Sequence, residues 1–96
     1  MLIKAGVDIS RLNREIRRTL PKVQNVLDEW GEEIIITSTY EGNHGLHSLH
    51  YCNDAYDIRL PKYNPVGVAA NCRTTLGKDF DVELEKDHIH IEYDPK

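Results

Sequence analysis

The chain predicts a single α+β domain, a small antiparallel sheet with helices packed on one face. Three observations point there. The first third repeats its apolar residues at helical spacing. The middle and the end hold short β-rich runs bounded by Gly, Pro, Asn and Asp. The resulting order, α-α-β-β-β-α-β-β, gathers strands and helices into groups instead of alternating them. At 96 residues the chain makes one domain, residues 1–96. Such a domain buries roughly 60–70% of its unfolded surface, enough to fold alone.

Residues Asp8 to Trp30 read as helical. Ile9, Leu12, Ile16 and Leu20 keep a spacing near 3.6, and Val23, Val26, Leu27 and Trp30 resume it. Pro21 divides the segment, giving a helix over about 10–18 and a second from Pro21 to Trp30 stopped by Gly31. Trp30 ends an amphipathic helix and reads as core. Glu33 to Thr39 is a strand whose Ile34-Ile35-Ile36 run suits burial on both faces. Glu41 to Gly45 is a polar loop. Leu49 to Tyr51 and Ala55 to Leu60 are strand pieces around a turn at Asn53-Asp54, where asparagine tolerates positive φ. After a loop at Pro61 to Pro65, Val66 to Leu76 suits a helix ended by Gly77. Phe80 to Glu85 and His88 to Tyr93 form a hairpin about Lys86-Asp87.

Composition narrows the function. Hydrophobic content of 40% and charged content of 29% are those of a soluble globular protein. A net charge of −4 leaves no excess of Lys or Arg for phosphates, so neither nucleic acid nor a membrane surface is an expected partner. Arg11, Arg14, Arg17 and Arg18 cluster, but Glu15 among them marks a solvated helix face. No apolar run reaches membrane length and no signal-peptide pattern opens the chain, so synthesis in the cytoplasm is expected. Cys52 and Cys72 are expected as free thiols.

Two segments concentrate metal-binding side chains. His47-Ser48-Leu49-His50-Tyr51-Cys52-Asn53-Asp54-Ala55-Tyr56-Asp57-Ile58 supplies a His and an Asp, and Asp87-His88-Ile89-His90-Ile91-Glu92 supplies another His beside an acid. His50, Asp57 and His90 together have the composition of a catalytic zinc site, three protein ligands with one position open. His50 and Asp57 flank the predicted turn, and His90 comes from the last strand. His88 and His90 are two apart and share a face of that strand. His47 reads as part of a solvated loop.

These motifs carry a family resemblance. Ser48-x-His50-x-x-x-x-Ala55-x-Asp57 resembles the Ser-x-His-x-x-Gly-x-Ala-x-Asp signature of the zinc D,D-peptidase superfamily, which includes D-Ala-D-Ala peptidases, phage L-alanyl-D-glutamate endolysins and hedgehog signalling domains. His88-Ile89-His90 resembles the closing His-x-His of the hedgehog-like branch, as does Gly42-Asn43-His44 followed by Ser48-Leu49-His50-Tyr51. Ile36-Thr37-Ser38-Thr39-Tyr40 is similar to the family's strand ending in Ser-Gly-Tyr-Arg. The resemblance spans roughly Ile34 to Tyr93 and implies a hedgehog/DD-peptidase-like fold with His50, Asp57 and His90 as Zn2+ ligands. Asn53 stands at the family's glycine. Glu41 stands where peptidases often carry an arginine, with no replacement cation evident nearby in the sequence.

The resemblance implies metal-assisted amide hydrolysis in peptidoglycan stem peptides, by an endolysin-like monomer acting on the cell wall after release or carried in a virion. Asp87, three residues before His90, matches the family's Asp/Glu-x-x-His spacing for the general base. Glu85 is its competitor. Ideal alternation puts both on the face opposite His90, so an irregular turn is needed to aim one inward. His88 is expected to stabilise the oxyanion, with His44 able to assist from the loop. Tyr40 and Ser48 are expected to line the substrate groove. The alternative function is a zinc-stabilised binding module of hedgehog type without catalysis. Glu41, Asp54, Asp79 and Asp81 match no calcium loop and read as surface charges.

Overall fold

A computed structural model describes residues 1–39 and 53–95. Its elements run β1 (Leu2–Ile3), α1 (Arg14–Arg17), α2 (Thr19–Glu29), β2 (Ile35–Ser38), β3 (Ala55–Arg59), α3 (Pro65–Leu76), β4 (Phe80–Leu84) and β5 (His88–Tyr93). The strands form one sheet in the order β1-β2-β3-β5-β4. All pairings are antiparallel except β1 with β2. The sheet is therefore mixed. Leu2-Ile3 is too short to display an alternation, and so its pairing was invisible in the sequence.

Alternation along the strands divides the sheet into two faces. Ile36, Tyr56, Ile58, Val82, Ile89 and Ile91 are buried together with Val23, Val26 and Leu27 of α2 and Val68, Ala69 and Cys72 of α3. Both helices lie on that face. The other face carries Asp57, Arg59, His88, His90 and Glu92, and no helix among the described residues covers it. This one-sided cover corrects the reading of β2 as buried on both faces: Ile34 and Ile36 are buried, whereas Ile35 is only half-buried.

The helix break also differs from expectation. Residues 10–13 are not helical. Asp8 Oδ1 accepts from the Ser10 backbone N–H at 2.8 Å and from its hydroxyl at 2.6 Å. That local turn competes with helix formation. Helix α2 begins two residues before Pro21. The proline sits within the first turn, where its missing N–H has no helical acceptor to satisfy. Gly31 closes the helix at φ 70°.

Helix α3 starts at Asn64, whose side chain accepts from the Gly67 N–H at 3.0 Å. A Cβ on Gly67 would lie 2.8 Å from Trp30 Cη2 and 2.7 Å from Asn64 Nδ2. The missing side chain is what lets the indole pack against α3. Trp30 accordingly joins the margin of the core. All four clustered arginines are exposed. Cys72 is a buried free thiol, and Cys52 lies outside the described residues.

Candidate metal centre

Strands β3 and β5 place the candidate residues in register, with Asp57 opposite His90 and Arg59 opposite His88. Tyr56, beside Asp57 in sequence, points the other way and anchors β3. Thr19 Oγ1 donates to the Ile16 carbonyl at 2.6 Å, which leaves the Tyr56 hydroxyl to donate to Thr19 Oγ1 at 2.7 Å. At the start of β3, Asn53 has φ 59°. Its carbonyl accepts from the Asn13 N–H, and Asn13 Nδ2 donates to Asp54 Oδ1 at 2.8 Å. The turn before Asp57 is thereby tied to the start of α1. A left-handed residue there explains why glycine suits this position and why asparagine replaces it at small cost.

The open face holds a chain of close polar contacts. His90 Nδ1 lies 2.8 Å from Asp57 Oδ1, and His90 Nε2 lies 2.5 Å from Glu92 Oε1. His88 Nε2 is 3.8 Å from Asp57 Oδ2, and His88 Nδ1 is 2.7 Å from Asp87 Oδ1. Asp57 is nearly buried at 8% exposure. Burial alone would push the His90 pKa down, but hydrogen bonds to Asp57 and Glu92 outweigh it and raise the pKa to about 9. The two carboxylates thus favour the protonated form of the His90 imidazole.

Asp87 and Glu85 now separate. Residues 85–87 leave the strand path, and this irregular turn brings the Asp87 carboxylate to His88. That hydrogen bond is the chief reason its pKa is lowered. Glu85 is exposed, and its backbone N–H donates to the His88 carbonyl at 2.9 Å. Its structural part is to close the hairpin. Lys4, Thr37, Asp57, Arg59, Asp87 and His88 line a groove of about 310 Å³ on this face. Two cations therefore flank the centre, where the sequence had displayed none. Tyr40, His44, Ser48 and His50 lie outside the described residues.

The family model for peptidase M15 matches residues 2–92. The chain belongs to the peptidase M15 family. Members of this family are zinc metallopeptidases, and the match covers α1 and α2 as well as the sheet. No curated protein and no solved structure gives a match.

Among the described residues of this M15 chain, the donors suit zinc. Imidazole nitrogen and carboxylate oxygen are both ordinary zinc ligands. His90 and Asp57 would hold the metal together, with Glu92 against the second ring nitrogen of His90. A carboxylate holding the second nitrogen of a ligating histidine fixes its tautomer and raises its basicity. Glu92, in contact with His90, is a candidate that the motif reading did not single out. Its signal was available, since Glu92 is two residues from His90 and so shares its strand face. Asp81, Glu92 and Asp94 also bring carboxylate oxygens within 4.8 Å of one another at the far end of the hairpin. That group is all oxygen and lacks the imidazole that favours zinc.

Proposed function

We propose that this chain is a zinc-dependent peptidase that hydrolyses an amide bond in peptidoglycan stem peptides, in the manner of a phage or prophage endolysin. His50, Asp57 and His90 are the proposed ligands. One observation carries the reading: a nearly buried Asp57–His90 pair at 2.8 Å opens onto a groove that also presents Asp87 and His88. When bound, zinc supplies the Lewis acidity that polarises an amide carbonyl and activates water. Asp87 takes the water proton and returns it to the leaving amine. Its hydrogen bond to His88 orients the carboxylate, and His88 donates to the developing oxyanion. Tyr40, His44 and Ser48 complete the substrate side. Action on the cell wall follows release from the cell, or delivery within a virion.

A second reading, a zinc-stabilised recognition module of hedgehog type, draws support from Glu41 at the family's arginine position. Digestion of purified peptidoglycan, with mass analysis of the released peptides, separates the two. The peptidase reading expects new peptide termini from wild type and none from Asp87→Asn. Wild-type protein loaded with zinc that releases nothing from several peptidoglycan types would contradict it.

A further inference from the structure

The net charge of −4 hides a segregation of charge along the chain. Residues 11–22 hold five of the 12 Lys and Arg residues but only one of the 16 acids, Glu15. The helical path through them is nearly continuous. The Arg17 N–H donates to the Asn13 carbonyl at 2.9 Å and the Arg18 N–H to the Arg14 carbonyl at 3.0 Å. Arg18 itself has helical angles, φ −64° and ψ −19°, before α2 begins at Thr19. With 3.6 residues per turn, Arg14, Arg17, Arg18 and Lys22 fall on one side of this path. All four are exposed, and Ile16, Leu20, Val23 and Leu27 are buried on the other side. Arg17, Arg18 and Lys22 make no ion pair among the described residues, and Arg14 meets Glu15 at 3.8 Å. Arg11 stands apart, with its charge directed at Asp8. The cluster works against stability. Like charges at i,i+4 repel, and the start of a helix favours anions over cations. Arg14 and Arg18 are such a pair, as are Arg18 and Lys22, and the first turn of α2 holds no acid. Folding therefore gives no reason for the cluster, whereas a bound anion does.

We infer that Arg14, Arg17, Arg18 and Lys22 form a docking surface for an anionic phosphodiester polymer of the cell wall. Arg14, Arg18 and Lys22 follow one another at about 6 Å along the helix axis, a row of charges that an extended polyanion can track. The guanidinium groups take phosphate oxygens in pairs, and Lys22 adds a point charge. The choice of polymer follows from what surrounds the row. Among the described residues, this face exposes no aromatic ring on which nucleic-acid bases could stack and no large apolar side chain to enter a bilayer. The rest of the chain is acidic and repels a rigid duplex or an anionic membrane. A single flexible strand touches the helix alone and avoids that repulsion. The cell wall as its source rests on the peptidase reading. Helix α2 packs on the sheet face away from the groove, so a polymer on its outer side leaves the groove clear for a peptide.

The test titrates the full chain with poly(glycerol phosphate), with single-stranded DNA and with phosphatidylglycerol vesicles, and assays hydrolysis of purified peptidoglycan in parallel. Affinity for poly(glycerol phosphate) should fall by about 10–50-fold between about 50 and 200 mM salt, as the release of some four counterions implies. The Arg14→Gln/Arg17→Gln/Arg18→Gln/Lys22→Gln variant should bind at least about tenfold more weakly at low salt and lose most of that salt dependence. A variant with the three arginines changed to lysine should keep most of both. The quadruple variant should unfold at the same temperature as wild type or higher, because it sheds charge repulsion. A merely structural role for the four side chains predicts a lower temperature. Failure to bind poly(glycerol phosphate), or binding unchanged in the quadruple variant, would overturn the inference, as would tighter binding to the DNA or the vesicles. Hydrolysis of peptidoglycan without polymer binding would overturn this inference alone. Polymer binding without hydrolysis would support it and overturn the peptidase reading alone.

Discussion

At the residue scale, the centre works through pairs. His90 sits between Asp57 and Glu92 at 2.8 and 2.5 Å, and these two carboxylates have different tasks. Asp57 is a proposed ligand, whereas Glu92 orients the imidazole. Glu92→Gln should therefore weaken zinc binding by about tenfold to hundredfold without unfolding the protein. Competition against a zinc chelator measures this, and an unchanged affinity would remove Glu92 from the centre. Asp87 and Glu85 are separated by the same kind of reasoning. Asp87→Asn should lower turnover by about 10²–10⁴-fold and retain zinc, while Glu85→Gln should leave turnover near wild type. Steady-state rates and metal content of the two variants decide between the acids. The sequence singled out Asp57, His88 and His90 because their order and spacing are local properties, and β3 and β5 bring them to one face. It left Asp87 and Glu85 unresolved because their direction depends on an irregular turn, which no alternation rule describes. It missed Glu92 because the acid followed the motif rather than completing it.

At the scale of elements, the contact between α3 and the end of α2 controls more than its size suggests. Replacing a helical glycine by alanine ordinarily stabilises by about 0.5–1 kcal/mol. At Gly67 the new Cβ would meet the Trp30 ring at 2.8 Å and the capping Asn64 side chain at 2.7 Å. Overpacking of this kind costs about 1–3 kcal/mol, so the clash wins. Gly67→Ala should be net destabilising in urea unfolding, and a stabilised variant would contradict the packing described. The hydroxyl linking Tyr56 to Thr19 is a second test. Tyr56→Phe removes one buried hydrogen bond and should cost about 1 kcal/mol, since Thr19 keeps its bond to Ile16. The element boundaries were legible where punctuation was strong. Gly31, Gly77 and the hairpin from Phe80 to Tyr93 all fall where the sequence puts them. The start of α1 was not legible, because the Asp8–Ser10 turn competes with a helical apolar pattern. Strand β1 was hidden because two residues have no period.

At the scale of the molecule, one face of the sheet is packed by helices and the other carries the candidate site. The helices cover Tyr56, Ile58, Ile89 and Ile91, and the residues between them are left to form the groove. This division was implicit in the alternation of β5, His-Ile-His-Ile-Glu, but the assignment of the covered face needed the helices in place. The buried face also sets an alkaline limit. Burial pushes the Cys72 thiol from 9.0 up to about 11, and burial raises the Tyr56 phenol as well. A raised folded-state pKa means that the unfolded chain loses the proton first. Stability from Cys72 is therefore complete below about pH 9 and is lost as pH rises toward 11. Chemical denaturation across that window should show a steeper decline for wild type than for Cys72→Ala. Parallel slopes would show that the thiol is not protected as described.

The central claim is that β3 and β5 carry two ligands of one zinc site. The most direct measurement is zinc stoichiometry and affinity of the purified chain beside His90→Ala and Asp57→Ala, each checked for fold by circular dichroism. The account predicts one zinc per wild-type chain, and folded variants in which that zinc is lost or held at least a hundredfold more weakly. No zinc in wild type after reconstitution, or full zinc retained by both folded variants, would contradict it.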